Sequence, residues 1–484
     1  MTDRAKYETV IGLEVHAQMK TKSKAFCSCS TEFNAPPNSN TCPVCLGHPG
    51  TLPVLNKDLV EFILRMGLAT NCKVTERSIF ARKNYFYPDL PKGYQISQYD
   101  KPICHDGWVI INDKKIGITR IHMEEDAGKS IHDLSADETL VDLNRCGVPL
   151  IEIVSEPDMS STDEAYVYLT KLKQLVQYLD ICDGNMEEGS LRCDANVSVH
   201  LKGDTKFGTK TEVKNLNSFK NVVDALDSEI KRQIEILDRG GKVVHETLTF
   251  DAKSKSTAMM RSKEEAHDYR YFPEPDLVTV YIDEKWKNRV QAELPELPDA
   301  RIGRFIKLYS LPRYDAEVLV QDRALADYFE KVCDNLNTLI SYKTASNWVM
   351  TEIMRILNEN KISISEFWVS EKNLSSLIKL IEANEISNNI AKVVYNEMLK
   401  CKDPGDKWQN PSYIVKEKNL LQMTDESEIE NLVLKILIEN PNEVTRYKNG
   451  ETKLLGFFVG KVMKESNGKA NPKTVNELIF KSLI

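Results

Sequence analysis

The 484-residue chain puts acids into runs that otherwise read as buried strands. In VDLNRCGVPLIEIVSEPD, Glu152 sits inside the apolar PLIEIV run, and Glu156 and Asp158 follow it. A carboxylate in a core costs several kcal/mol unless it is paired or bound to a metal, so either the run is edge structure or the acids have a function. The pattern recurs. YETVIGLEVHAQMK alternates, with Ile11, Leu13, Val15, Ala17 and Met19 on one face and Gly12, Glu14, His16 and Gln18 on the other. SLRCDANVSVHL sets Leu191, Cys193, Ala195, Val197 and Val199 opposite Arg192, Asp194, Asn196, Ser198 and His200. ITRIHMEEDAGK ends an apolar strand in Glu124, Glu125 and Asp126, and GTKTEVKNLNSF places Glu212 between Lys210 and Lys214. Acids and an imidazole converging on one sheet face are the donor set of a hard-cation site, for magnesium and a second ion. Taken singly, each acid reads as a solvated surface charge; their joint occurrence at strand ends favours the metal. Magnesium in an acidic pocket implies phosphate chemistry.

Cys27, Cys29, Cys42 and Cys45 form a second constellation, two close pairs separated by twelve residues. That spacing suits a tetrahedral zinc site, and four thiolates would fill its shell, making the ion structural; the alternative is four reduced thiols. AGKS at 127–130 imitates the end of a P-loop, but the first glycine of that motif would fall on Met123, so there is no Walker A loop. RKNYFYPDLPKGYQISQYD surrounds Lys83 and Lys92 with Tyr85, Phe86, Tyr87, Tyr94 and Tyr99, an aromatic run that either stacks a base or packs on its own sheet. Gly456 and Gly460 in LLGFFVGKVMK have GxxxG spacing in a segment too short and Lys-flanked for a membrane dimer, which leaves a tight helix contact.

The elements that must position these residues divide the chain. Residues 1–295 alternate and turn often, and strands with one polar face suit an antiparallel sheet. Helical spacing interrupts them at Glu61–Ala69, Asp163–Leu179 and Val222–Leu237, so the fold class is α+β. AELPELPDARIGRF, with Pro295 and Pro298, breaks regular structure and reads as a linker. Beyond it the periodicity is helical, in two modules, 296–408 and 409–484, divided near CKDPGDKWQNP. TDESEIENLVLKILIEN carries the clearest stripe, Ile429, Leu432, Val433, Ile436 and Leu437, with Thr424 as its N-cap. The net charge of −8 excludes a protein that coats nucleic acid non-specifically, yet residues 446–484 carry eight Lys/Arg against three Glu and could meet phosphates. No apolar run approaches the roughly 18 residues of a membrane span. The start, MTDRAKYETVIGLEVH, has neither a signal region nor a presequence, and the eleven cysteines suit reduced thiols, so the expected location is the cytoplasm.

YETVIGLEVHAQ, NSNTCPVCLGHPG, RKNYFYPDLPKGYQISQ, HMEEDAGKS, VDLNRCGVPLIEIVSEPD, MEEGSLRCDAN, GTKTEVKNLNSF and DYRYFPEPDL, in order, resemble the B-subunit family of bacterial-type aspartyl/glutamyl-tRNA amidotransferases, and the similarity runs to the tail. The resemblance implies an antiparallel catalytic cradle similar to glutamine synthetases over 1–295, with a small four-cysteine zinc insertion, followed by all-α helical and YqeY-like tail domains that hold tRNA. It implies ATP- and magnesium-dependent phosphorylation of the side-chain carboxylate of Glu-tRNA(Gln) and/or Asp-tRNA(Asn). Ammonia then displaces the phosphate; it comes from glutamine hydrolysed by an amidase A subunit, which a small C subunit clamps in place. By motif position, His16, Glu125 and Glu152 resemble the magnesium ligands, Glu14, Asp194 and Glu212 a second cation site, and Lys83 and Lys92 the lining of the ammonia channel. The reading from another class is a non-catalytic tRNA-binding scaffold whose acids are merely solvated.

Overall fold

The computed structural model describes residues 4–132, 137–262, 269–403, 405–423, 425–466 and 468–483. The chain forms two compact units, residues 1–298 and 299–484. Among the described residues, no helix is long and apolar enough to cross a membrane.

The first unit is built on one sheet, whose twelve strands among the described residues are β1 (Tyr7–Gln18), β2 (Lys73–Val74), β3 (Ala81–Asn84), β4 (Tyr94–Ser97), β5 (Cys104–Ile111), β6 (Lys114–Glu125), β7 (Pro149–Ser155), β8 (Leu191–Leu201), β9 (Thr211–Leu216), β10 (Glu246–Asp251), β11 (Ser256–Ser262) and β12 (Phe272–Pro273). The order is β11-β10-β9-β8-β1-β7-β6-β4-β3-β12, with β5 on β6 and β2 on β5. The first strand is therefore central, and the acid-bearing strands β8, β7 and β6 lie beside it. All pairs are antiparallel except β9 with β10. That exception has a cause: the helix α3 (Phe219–Asp238) lies between them in sequence, and a crossover helix returns the chain parallel.

Alternation decides which face is dry. Ile11, Leu13, Val15 and Ala17 point into a core shared with the helices α1 (Lys57–Ala69), α2 (Thr162–Tyr178) and α3. Each helix starts a few residues before or near its expected limit, at a side-chain cap: Asn56, Ser161 and Ser218 accept hydrogen bonds from the backbone N–H groups of Asp58, Glu164 and Asn221. The other face carries Glu14, His16 and Gln18.

One buried acid ties α3 to the sheet. Glu229 is fully buried; Arg232 donates to it at 2.7 and 2.8 Å, and Thr211 Oγ1 and Gln233 Nε2 donate at 2.9 Å each. Thr211 opens β9, so this network fixes the strand that bears Glu212 and Lys214.

At the boundary of the two units, Pro298 does not break structure but begins a helix, Pro298–Tyr309. Proline fits a first helical position because its missing N–H would be unpaired there anyway. Thr424 lies outside the described residues; the helix Glu426–Glu439 is capped by Asp425. Its Ile429, Val433 and Ile436 share a core with Phe458, Val462 and Val475. The GxxxG contact is not formed. Gly456 and Gly460 are exposed, with nothing within 4 Å of where a Cβ would stand, because the helix Leu454–Glu465 buries Phe458 and Val462 on its other side. Arg301 and Arg304 clasp Glu330, and Arg301 also reaches Asp327 at 2.5 Å.

Both charged networks bear on stability. Glu229→Ala removes an acceptor shared by Arg232, Thr211 and Gln233, while Arg232 keeps Glu246 and Gln233 keeps the Val197 carbonyl, and is expected to cost about 1–3 kcal/mol in a denaturant titration, with the far-UV spectrum retained. Burial alone would raise the Glu330 carboxyl, but Arg304 and Arg301 outweigh it and hold it below the usual range. A depressed folded value means that the pair stabilises above the unfolded glutamate pKa of about 4.3, and that this contribution is lost as pH falls below it. Glu330→Gln should therefore be less stable than the parent at neutral pH and lose less on acidification, read as Tm against pH.

Candidate active site

Cross-strand register brings the polar residues of the open face together. His16 on β1 faces Glu152 on β7, which faces His122 on β6, and on its other side His16 faces Arg192 on β8. One step along, Glu14 faces Asp194. Directly opposed residues in antiparallel strands share a face with Cβ atoms about 4.5–5.5 Å apart, so the pairing itself assembles the cluster.

Glu152 is the hub. It is 4% exposed, with its Oε2 3.4 Å from His16 Nε2 and 3.6 Å from His122 Nε2, and its Oε1 3.5 Å from Arg120. Burial opposes its ionisation, but His122, His16 and Lys83 hold the carboxyl well below the usual carboxylate range. Burial lowers His122, whereas at His16 the hydrogen bond and charge of Glu152 overcome burial and raise the imidazole. Glu14, 3.7 Å from His16, is pushed up to about 7, first by burial and then by Glu152. The excess of negative charge is thus met by a raised proton affinity at Glu14 and by pairing of the rest. Glu124 completes a second group with His122 and Glu152, and Lys83 Nζ lies 2.9 Å from it. Two sets of donor atoms lie within 4.8 Å of one another here: Glu14, His16, Glu152 and His122, Glu124, Glu152. Imidazole and carboxylate donors, with the buried His122 Nδ1 lacking any hydrogen-bond partner, fit a hard divalent cation.

Glu125 is not brought into this cluster. Alternation puts it on the opposite face of β6 from His122 and Glu124, where its carboxylate pairs with Lys92 and accepts the Ile96 N–H at 2.7 Å. Lys83 and Lys92 consequently approach β6 from different sides. Lys92 and Glu125 line a small cavity of about 70 Å³ with Lys24, Phe26, Cys45 and Gly147. Asp194 and Glu212 converge on Lys214, at 2.5 and 2.9 Å, rather than on Glu14. Glu156 and Asp158 turn away, accepting from Thr119 Oγ1 at 2.7 Å and the Gly117 N–H at 2.8 Å. His122, Arg120 and the bridging position of Lys214 were missed from the sequence. The signal was available for the first two, since Arg120, His122 and Glu124 alternate with the buried Ile121 and Met123.

A matching family model, described as the GatB/GatE catalytic domain, covers residues 9–288, and a second, the GatB domain, covers 327–483. The chain belongs to the GatB family, the B subunits of tRNA-dependent amidotransferases. It is 56% identical to the B subunit of the aspartyl/glutamyl-tRNA(Asn/Gln) amidotransferase of Geobacter sp. (strain M21), over 99% of each chain. It is 54% identical to the corresponding protein of Thermodesulfovibrio yellowstonii, over 99% of each, and 54% identical to that of Syntrophotalea carbinolica, over 100% of this chain and 99% of the relative. The catalytic-domain match spans the strands that carry the carboxylate cluster.

The four cysteines also meet. The sulfurs of Cys27, Cys29, Cys42 and Cys45 lie within 4.8 Å of one another, compatible with a tetrahedral ion at about 2.3 Å from each. Cys45 accepts the Cys42 N–H at 3.2 Å and the fully buried Lys24 ammonium at 3.6 Å, and a hydrogen bond from Cys27 pulls its thiol down to about 4. The aromatic run is divided: Tyr85 packs edge-on to Tyr269 and Tyr94 lies under Arg82, while Phe86 and Tyr87 stay exposed. The loop that carries the cysteines has little regular structure, so a bound ion would hold it. The purified chain should contain about one equivalent of thiolate-bound metal by elemental analysis, and Cys42→Ser with Cys45→Ser should lose it and lower Tm by several degrees.

Proposed function

We propose that this chain phosphorylates the side-chain carboxylate of Glu-tRNA(Gln) and/or Asp-tRNA(Asn) at the expense of ATP, then directs ammonia onto the acyl phosphate to give Gln-tRNA(Gln) or Asn-tRNA(Asn). It would do so within a heterotrimer, beside an amidase A subunit and a small C subunit. The observation that carries this reading is the buried Glu152 between His16 and His122, a donor set with no purely structural need. His122, Glu124 and Glu152, whose donor atoms lie within 4.8 Å of one another, would hold magnesium, with Glu124 taking the place expected of Glu125 and His16 holding Glu152 from the other side. Bound magnesium would neutralise charge on the transferred phosphoryl group.

The protein's own residues supply the rest. A cavity of about 420 Å³ lined by Val10, Gly12, Glu14, Asn196, Phe207 and Lys210 adjoins the cluster and is where we place the nucleotide. Phe207, 64% exposed, offers a face for a base, and Arg120 and Lys210 offer charge for phosphates. Activation is needed because a carboxylate cannot expel oxide, whereas phosphate leaves an acyl phosphate readily. A cradle similar to glutamine synthetases suits that intermediate. Lys83 and Lys92, paired with Glu124 and Glu125 on opposite sides of β6, would line two separate stretches of the route by which ammonia arrives without competing water. The ion among the four cysteines would be zinc, and the helical modules 296–408 and 409–484, with their Lys-rich end, would hold tRNA phosphates.

The test combines the chain with its A and C partners and follows ADP and the aminoacyl group on each misacylated tRNA. ADP and amidated tRNA should form only with such a substrate; no tRNA-dependent ADP would leave a binding scaffold. Glu152→Gln and Glu124→Gln are expected to slow ADP formation by about 10²–10³ with tRNA affinity unchanged within a fewfold. Glu125→Gln should keep tRNA-dependent ADP release but lower the amidated fraction; loss of ADP formation would return Glu125 to the metal.

A further inference from the structure

The resemblance implies a second cation held by Glu14, Asp194 and Glu212, and the side chains do not fit one. Lys214 Nζ lies 2.5 Å from Asp194 Oδ2 and 2.9 Å from Glu212 Oε1, bridging the two acids that would have to coordinate the ion. The remaining oxygen of Glu212 accepts from Thr247 Oγ1 at 3.1 Å. Glu14, Asp194 and Glu212 are not among the groups whose donor atoms lie within 4.8 Å of one another. A magnesium ion at about 2.0–2.1 Å from the same oxygens would stand within a few ångströms of the ammonium, so the two cations exclude each other.

The backbone explains how Lys214 reaches this place. The register between β8 and β9 shifts between Cys193 and Ala195: Cys193 faces Leu216, and Ala195 faces Val213. The extra residue is on β9, where Asn215 takes a left-handed φ of 66°. On the regular side of that bulge, where Ala195 faces Val213 and Asn196 faces Glu212, the same register sets Lys214 opposite Asp194 and on one face with Glu212. Glu229, through Thr211, fixes the start of the same strand.

We infer that the Lys214 ammonium is the second cation of this site, so that the catalytic face takes one divalent ion rather than two. Lys214 is then a positioning residue. It neutralises Asp194 and Glu212 beside the nucleotide cavity and keeps them apart from Glu14 without depending on metal concentration. The inference rests on the reading of His122, Glu124 and Glu152 as holders of the first ion.

Manganese(II) alone is the probe, titrated into the full chain with its cysteine site zinc-loaded, the free ion being counted by electron paramagnetic resonance. The parent and Lys214→Arg should each bind one Mn²⁺ per chain. Lys214→Met, which frees both carboxylates, should bind two. Two ions on the parent would overturn the inference and leave the first site standing. One ion on both the parent and Lys214→Met, with circular dichroism confirming that the variant is folded, would overturn it as well. No ion on the parent would instead overturn the reading of the first site, and with it the role given to Lys214.

Discussion

Crowding carboxylates on one face of a sheet is the constraint around which the first unit is organised. Two like charges about 4 Å apart cost about 4 kcal/mol at an effective dielectric constant near 20, and Glu14, Glu124, Glu152, Asp194 and Glu212 lie on neighbouring strands. The structure answers with interleaved cations. Glu152 takes two imidazoles and Arg120, Glu124 takes Lys83, and Asp194 and Glu212 share Lys214. Glu14 is left with His16, which does not offset burial and the charge of Glu152, and its proton affinity rises.

The rest of the unit can be understood as the means of holding that face in register. The central strand carries Glu14 and His16, so its neighbours on both sides contribute without long side chains having to span the site. Slipping β1 by one residue would put Ile11, Leu13 and Val15 into water and Glu14 and His16 into the core, so the hydrophobic face that packs on α1, α2 and α3 also enforces the geometry of the polar one. Glu229 spends a buried acid of its own to anchor the one crossover strand, β9. The four-cysteine loop and the Lys92–Glu125 pair line a separate small cavity, which divides the two lysines between different environments.

Much of the site was legible because period-two alternation is strict. Glu14, His16 and Asp194 were assigned to polar faces from spacing, and the structure places them there; Glu152, marked as an acid inside an apolar run, joins them through its pairing with His16. The same rule, applied to IHMEE, separates Glu124 from Glu125; the motif resemblance selected Glu125, and the side-chain geometry favours its neighbour. Lys214 was seen only as a flank of Glu212, because a lysine two residues away in a strand reads as a solvated partner until the pairing of β8 with β9 sets it opposite Asp194. The GxxxG spacing misled for a related reason. Small residues permit close approach but do not attract, and Phe458 and Val462 on the other side of that helix had apolar surface to bury.

What the sequence determined by itself was the family, through motifs spread along the whole chain, together with the α+β class, the dry faces of the strands and the four-cysteine group. These follow from local periodicity and residue chemistry. Tertiary structure alone decided which acids meet, that β9 and β10 run parallel, and that a lysine stands where a second metal was expected. Each of those depends on strand order and register, and pairing between segments distant in sequence leaves no periodic trace in either of them.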